Sequence, residues 1–158
     1  IMGFNACRPS STGWVNIASP DPEVAPRMSG DYLSTQKDLD DVVAMARLLG
    51  RIQDTKGLSS LLLEPPQLDL STMTDADIIR DFQQRATTVY HPCGTCRMGP
   101  EPDRAVVDAK LRVHGIEALR VVDASVFPNI TSANTNAPTL MVAHRAAQMI
   151  LTTADRKP

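Results

Sequence analysis

The sequence predicts a fold that mixes α-helices with short β-strands, and three regions carry that prediction. Apolar residues recur at helical spacing between residues 39 and 52, and an Ala-rich run of helical character covers residues 139–151. Residues 12–19, in contrast, alternate apolar and polar side chains, which is typical of a strand with one exposed face. The chain therefore combines the helical and the strand periodicity.

The first half of the chain predicts a strand, an extended loop and two helices. The strand at residues 12–19 runs into a loop whose three prolines, between residues 20 and 26, hold the backbone extended. The first helix covers residues 35–51 and has Ser34 as its N-cap. The second helix begins near Thr74, whose side chain can cap it.

Three aspartates open the first predicted helix. Asp38, Asp40 and Asp41 lie near its N-terminus, where the helix dipole stabilises negative charge. We interpret them as a solvated helix face with no functional role.

The second half of the chain predicts two β-rich runs and a final helix. The runs cover residues 105–113 and 119–122, and the second is apolar enough to predict a buried strand. The final helix covers residues 139–151. Pro138 is expected in its first turn, where a missing N–H costs nothing, and Asn136 is a capping candidate just upstream.

Composition indicates a globular protein without an electrostatic attraction to nucleic acid. Of the 158 residues, 42% are hydrophobic and 22% charged, and the net charge is -2. No run approaches the roughly 18 apolar residues of a membrane span, and the first residues lack the layout of a signal peptide. Three cysteines, an odd number, favour a reducing compartment. These features predict a soluble, cytoplasmic protein with neither nucleic acid nor membrane as partner.

A dinucleotide-binding enzyme usually carries a Gly-rich turn between a strand and a helix, and neither a G-x-G-x-x-G pattern nor a P-loop occurs in this sequence. With eight glycines and a start that resembles the middle of a strand, the chain is expected to be a piece of a longer protein. Any cofactor would then be held largely by residues outside it.

His91 is the first candidate for chemistry. It ends an apolar run and precedes Pro92, which favours an extended backbone and places the imidazole at the edge of a loop. Imidazole titrates near neutral pH, so such a histidine can act as a general base. A lone histidine is, however, more often structural, so the residues around His91 must indicate whether its role is structural or catalytic.

Three motifs follow one another along the chain, and the first of them contains His91. They are Tyr-His-Pro-Cys-Gly-Thr-Cys-Arg-Met-Gly at residues 90–99, Val-Val-Asp-Ala-Ser at 121–125 and Thr-Ser-Ala-Asn-Thr-Asn-Ala-Pro-Thr at 131–139. In order, spacing and sequence they closely resemble the C-terminal motifs of the glucose-methanol-choline (GMC) oxidoreductases. Residues 8–13 and 31–34 also resemble that family, so the resemblance covers nearly the whole chain.

The resemblance implies a flavin-dependent alcohol oxidoreductase with FAD as cofactor. His91 would remove the hydroxyl proton of a small alcohol while the substrate carbon passes a hydride to flavin N5. Asn134, which cannot titrate, would hydrogen-bond the substrate oxygen and stabilise the alkoxide. No metal site is expected.

The resemblance also implies residues that bind the cofactor. Asp123 and Ala124 would lie against the ribityl and phosphate region of FAD, although a turn aspartate that bonds nearby amides is an alternative interpretation. Residues Asn136, Pro138 and Thr139 open the final helix, whose free N–H groups and positive dipole end would face the N1–C2 carbonyl edge of the flavin.

The architecture implied by the resemblance is α+β and straddles two domains. Residues 1–100 would form part of a substrate-binding domain built on an antiparallel sheet and would carry the His91 loop. Residues 101–158 would return to the FAD-binding domain and supply its final strand and helix. The N-terminal FAD-binding portion, in the same polypeptide or as a separate chain, would be the partner.

Two other interpretations remain at this point. The first is that the chain serves only as a non-catalytic cap domain or fragment that needs the FAD-binding portion. Alternatively, a Cys-x-x-Cys pair beside a histidine suggests zinc or thiol chemistry, but two thiols and His91 leave a tetrahedral site one ligand short. The residues concerned are Cys93 and Cys96, with Cys7, His114 or His144 as the missing ligand. Choline, sugar-like and simple primary alcohols all remain open as substrates.

Overall fold

A computed structural model describes residues 2–64 and 66–154 of the chain. Two short strands, β1 (Trp14–Asn16) and β2 (Arg27–Ser29), pair in a small antiparallel sheet. The helices that follow are α1 (Gln36–Gln53), α2 (Lys56–Ser59), α3 (Asp75–Arg85), a 3-10 helix (Ala124–Val126) and α4 (Asn136–Ala154). The mixture of helices with a small sheet is consistent with the predicted α+β class. Among the described residues, no helix is both long and apolar enough to cross a membrane.

The chain divides into two compact units. The first consists of the chain up to Gly13 together with residues 29–88, and the second of residues 14–28 together with the chain from Val89 onward. The predicted division at residue 100 concerns the domains of a complete enzyme, and it stays a prediction.

The first unit is built on the packing of α1 against α3. Its core consists of Val42 and Ala46 from α1, Ile78 from α3 and Leu70 from the segment that leads to α3. The rings of Phe4 and Phe82 stack beside this core, with centroids 5.4 Å apart. The periodicity that predicted the two helices therefore reflects one shared apolar interface.

Helix α1 begins one residue later than its predicted cap implies. Its N-cap is Thr35 rather than Ser34, and the Thr35 side chain accepts a hydrogen bond from the N–H of Asp38 at 3.4 Å. Helix α3 has the predicted cap, since the Thr74 side chain accepts from the N–H of Asp77 at 3.2 Å. The interpretation of the aspartates as solvated was wrong for Asp38, which is 2% exposed.

The second unit has a separate core. Val107, Leu111, Val126, Phe127 and Ala146 form it. The predicted strand at residues 12–19 shortens to β1. The β-rich run at 105–113 forms isolated bridges, which join Val107 to Met98 and to Val113.

The prediction of a buried strand at residues 119–122 was wrong. Leu119 is 46% exposed, and within this run the described bridge joins Arg120 to Arg112. Leu119 accepts a hydrogen bond from the N–H of Val113, and Val121 donates one to Leu111. A strand needs a continuous ladder along a neighbour, whereas this segment turns back on a short stretch of the same loop.

Helix α4 begins three residues before its predicted start at residue 139. The N–H of Thr139 donates to the carbonyl of Thr135 at 3.0 Å, so helical hydrogen bonding already spans the preceding turn. Pro138 lies in the first turn, as predicted. Asn136 is the first residue of the helix and not a cap upstream of it.

Candidate functional site

The loop that follows His91 is fixed on the 3-10 helix by backbone hydrogen bonds. The N–H groups of Gly94 and Cys96 both donate to the carbonyl of Ser125, at 3.1 and 3.0 Å. The N–H of Met98 donates to the carbonyl of Val126 at 2.8 Å. Gly94 has a φ of 91°, a conformation that favours glycine and turns the loop. These bonds join the first motif, at residues 90–99, to the second, at residues 121–125.

The His91 imidazole is half-buried and bonded to the third motif. Its Nδ1 lies 3.0 Å from the Oγ1 of Thr135. Tyr90, the residue before it, is 80% exposed and has a φ of 59°, which is uncommon for a residue with a side chain. The backbone therefore turns sharply just before His91, while Thr135 holds the ring.

Thr135 is itself fixed at the start of α4. It is 7% exposed, and its carbonyl accepts hydrogen bonds from the N–H of Thr139 at 3.0 Å and from the Thr139 hydroxyl at 2.7 Å. The imidazole is thus tied through one buried hydroxyl to the first turn of a 19-residue helix. The first motif is therefore bonded to the second through Ser125 and to the third through Thr135.

Asn134 and Asn136, which flank Thr135, are both exposed. Asn134 was predicted to contact the substrate oxygen, and it directly precedes Thr135, the partner of His91. Pro138 and Thr139 are half-buried in the first turn of α4.

Asp123 caps the 3-10 helix. Its carboxylate accepts hydrogen bonds from the N–H of Ser125 at 2.8 Å and from the Ser125 hydroxyl. This is the turn arrangement that the alternative interpretation of Asp123 anticipated. Ala124, the next residue, is half-buried beside the core of the second unit. Asp123 is exposed in this cap. Its predicted contact with the cofactor stays a prediction.

The start of α4 offers a donor set that fits a flavin carbonyl edge. The first N–H groups of a helix have no partner within it, and those of Asn136 and Ala137 precede the bond from Thr139 to Thr135. Both residues are exposed. Such groups, with the positive end of the helix dipole, favour an oxygen that gains negative charge.

The thiols near His91 were the candidates for a zinc site. Burial raises the pKa of the Cys93 thiol. Cys7, Cys93 and Cys96 are free thiols. Within residues 2–64 and 66–154, no group of three or more His, Cys, Asp or Glu side chains is arranged to hold a metal ion.

Sequence reasoning named His91 and Asn134 but missed Thr135. The residue lies inside the third motif, directly after Asn134, and a hydroxyl there was an available signal. Its contact with His91 joins residues 44 positions apart, so the pairing required the folded chain.

The motifs, their mutual contacts and the start of α4 define a class of protein, and comparison with known families agrees. A family model for the C-terminal part of the GMC oxidoreductases matches residues 9–143. The chain therefore belongs to the GMC oxidoreductase family, as the motif resemblance predicted.

Several characterised proteins are similar to this chain. The "Alcohol dehydrogenase [acceptor]" of Pseudomonas putida is 37% identical over 147 residues, which are 93% of this chain and 26% of that protein. The oxygen-dependent choline dehydrogenase of Vibrio vulnificus is 41% identical over 145 residues, 91% of this chain and 26% of that protein. The chain thus spans about a quarter of the length of the relatives it matches.

A solved structure shares the fold. The formate oxidase of Aspergillus oryzae, studied for the modification of its FAD, superposes with a TM-score of 0.79 at 31% identity. The match covers 90% of this chain and 25% of the formate oxidase.

Proposed function

We propose that the chain is the C-terminal part of an FAD-dependent oxidoreductase that oxidises the CH–OH group of a small alcohol. The observation that carries the proposal is that the first motif, which contains His91, is bonded to both of the others: Gly94 and Cys96 donate to Ser125, and the His91 ring is held by Thr135 beside the exposed Asn134. Membership of the GMC oxidoreductases and the names of the relatives, which include alcohol and choline dehydrogenases, support this class of reaction.

His91 supplies the base in the proposed reaction. A half-buried imidazole at the edge of a loop is reachable by a substrate and still restricted in orientation. It takes the hydroxyl proton as the substrate becomes alkoxide-like. A positioned base contributes typically about 10²–10⁴-fold in rate.

Asn134 supplies a neutral hydrogen-bond donor to the substrate oxygen. An amide N–H aimed at an oxygen that gains negative charge stabilises the transition state without competing for the proton. Its exposure next to Thr135 supports this role.

FAD, when bound, supplies the hydride acceptor for the alcohol carbon. The proposed contacts of this chain with FAD lie in two segments. One is the start of α4, with the N–H groups of the exposed residues Asn136 and Ala137 and the first turn at Pro138 and Thr139. The other is the segment at Asp123 and Ala124. The rest of the FAD site belongs to the FAD-binding portion, the proposed partner of this chain. In this scheme residues 1–100 contribute to the substrate-binding domain and residues 101–158 to the FAD-binding domain.

The first test replaces the base. In the flavin-loaded enzyme, His91→Gln should lower the rate of flavin reduction by alcohol at least 100-fold, because glutamine cannot accept the proton. Anaerobic stopped-flow absorbance near 450 nm measures that rate. His144→Gln is a matched control, because His144 is exposed on α4 and contacts Gln148. A His91→Gln enzyme that is reduced at the wild-type rate would contradict the proposal.

A fragment without catalytic ability is the alternative state of the same chain. It is favoured by the quarter of the relatives' length that the chain spans. Absorbance near 450 nm of the purified 158-residue chain separates the two states. A yellow preparation reduced by alcohol would mean that the chain acts alone, and a colourless one that it needs the FAD-binding portion.

A further inference from the structure

The bond between His91 and Thr135 has two possible directions, and they differ in chemical consequence. A threonine hydroxyl can donate one hydrogen bond and accept two, while a neutral imidazole donates from one ring nitrogen and accepts at the other. At 3.0 Å, the Nδ1 and Oγ1 atoms share one hydrogen bond. Either Nδ1–H donates to the hydroxyl, or the hydroxyl donates to the lone pair of Nδ1.

Only one of these two hydrogen-bond directions leaves His91 able to act as a base. If the hydroxyl of Thr135 donates, the Nδ1 lone pair is occupied and Nε2 carries the proton, so neither nitrogen can accept from an alcohol. If Nδ1–H donates, Nε2 keeps a free lone pair. Nδ1 already faces a residue that is 7% exposed, which leaves Nε2 as the nitrogen for a substrate.

We infer that Thr135 is a positioning residue that accepts a hydrogen bond from the Nδ1–H of His91 and thereby fixes the tautomer whose base is Nε2. This inference rests on the proposed function of His91. In the step concerned, the substrate O–H bond breaks, its proton binds Nε2 and the electron pair stays on the oxygen. The Nδ1–H bond to Thr135 persists in the imidazolium, so no second proton has to move.

The surroundings of Thr135 suit this task because they hold its backbone still. Its carbonyl accepts the N–H and the hydroxyl of Thr139, so the backbone of Thr135 belongs to the hydrogen-bonded start of α4. A base oriented by a third group is a recurring arrangement in enzymes. Here the third group is a neutral hydroxyl, which orients the ring without adding charge beside it.

Kinetics of two matched variants test the inference in the flavin-loaded enzyme. Thr135→Val keeps the shape and removes the hydroxyl, so the limiting rate of flavin reduction should fall about tenfold, the value of one neutral hydrogen bond. The apparent substrate affinity should change less than about twofold, because the substrate does not touch Thr135. Thr135→Ser restores the hydroxyl and should recover most of the rate.

A control removes a different hydroxyl of α4. Thr152 bonds the carbonyl of Gln148 on an exposed face, and Thr152→Val should leave the reduction rate unchanged. The inference is overturned if Thr135→Val reduces flavin at the wild-type rate, or if Thr135→Ser is as slow as Thr135→Val.

A second readout needs neither turnover nor a folded variant at position 135. In wild-type enzyme labelled with ¹⁵N-histidine, the His91 signals, assigned by their absence from His91→Gln, should show Nδ1 protonated and Nε2 unprotonated in the neutral ring. A protonated Nε2 with an unprotonated Nδ1 overturns the inference even if His91 is essential. An unimpaired His91→Gln enzyme overturns instead the proposed function, so the two failures are distinct.

Discussion

Asp38 shows how one side chain in a charged stretch acquires a structural role. Its carboxylate accepts hydrogen bonds from the N–H of Ser10 at 2.8 Å, the hydroxyl of Ser10 at 3.0 Å and the N–H of Ser11 at 2.8 Å. Burial by itself opposes ionisation, but these bonds outweigh it and lower the pKa of Asp38 to about 2. The carboxylate thus fixes the segment around Ser10 to the first turn of α1.

The lowered pKa of Asp38 predicts the sign of a pH effect. Because the carboxyl binds a proton more weakly in the folded state, its stabilising contribution is present above its unfolded pKa near 4. It is lost as the pH falls towards 2. Asp38→Asn should therefore lower the free energy of unfolding by roughly 2 kcal/mol at pH 7 and by only about half as much at pH 3.

Urea unfolding at pH 7 and pH 3 measures the difference for Asp38→Asn. Asp40→Asn is the matched control, because Asp40 lies two residues further on α1 and is exposed. Its effect should stay within about 0.5 kcal/mol. A loss of equal size for Asp38→Asn at both pH values would contradict the electrostatic account.

Between elements, Arg47 connects α1 to the start of α3. Its guanidinium donates to the carbonyl of Leu70 at 2.5 Å, to the carbonyl of Met73 at 2.7 Å and to the carboxylate of Asp75 at 2.7 Å. The ion pair contributes little because Asp75 is largely exposed. The hydrogen bonds to the two carbonyls contribute more to stability, since they give a partner to backbone carbonyl groups in the segment just before the N-cap of α3.

Arg47→Met should destabilise the first unit by about 2–3 kcal/mol. Methionine keeps much of the aliphatic packing but leaves both carbonyls without their charged donor. Thermal or urea unfolding measures the loss. Arg51→Met, an exposed change on the same helix, should cost less than about 0.5 kcal/mol. Equal losses for the two variants would show that charge alone, and not the carbonyl contacts, explains the effect.

In the molecule as a whole, two separate apolar cores support the two units. Val42 is completely buried in the core of the first, and Val107 is completely buried in that of the second. Since none of the buried residues that the structure describes belongs to both cores, each unit is expected to respond first to a defect of its own core.

Hydrogen exchange measured by mass spectrometry tests this division. Val107→Ala, which should cost about 2 kcal/mol, is expected to speed exchange in the loop from residue 91 to 98 and in α4 while α1 and α3 stay protected. Val42→Ala is the reciprocal variant and should give the opposite pattern. Uniform acceleration across the chain in either variant would mean that the two units unfold as one.

The sequence predicted the helices well because their signals are local. Apolar spacing and the hydroxyl of Thr74 lie within a few residues of the bonds that they specify, so α1 was predicted nearly to its ends and α3 was predicted at its N-cap. The strand at residues 119–122 failed for the converse reason. Apolar content alone cannot show whether a neighbouring strand supplies a hydrogen-bonded ladder, and the bridge described for this segment joins Arg120 to Arg112 in a nearby turn.

The same contrast applies to the candidate site around His91. The linear sequence was sufficient to indicate a GMC oxidoreductase and to select His91 and Asn134, because the motifs are short and occur in a fixed order. It gave no means to find the burial of Asp38 or the hydroxyl that holds the imidazole. Those depend on contacts between Asp38 and residues 10 and 11, and between His91 and Thr135, which folding alone brings together. The orientation of the His91 ring, with Nδ1 towards Thr135, is therefore a property of the tertiary structure, since it follows from the position of Thr135 at the start of α4.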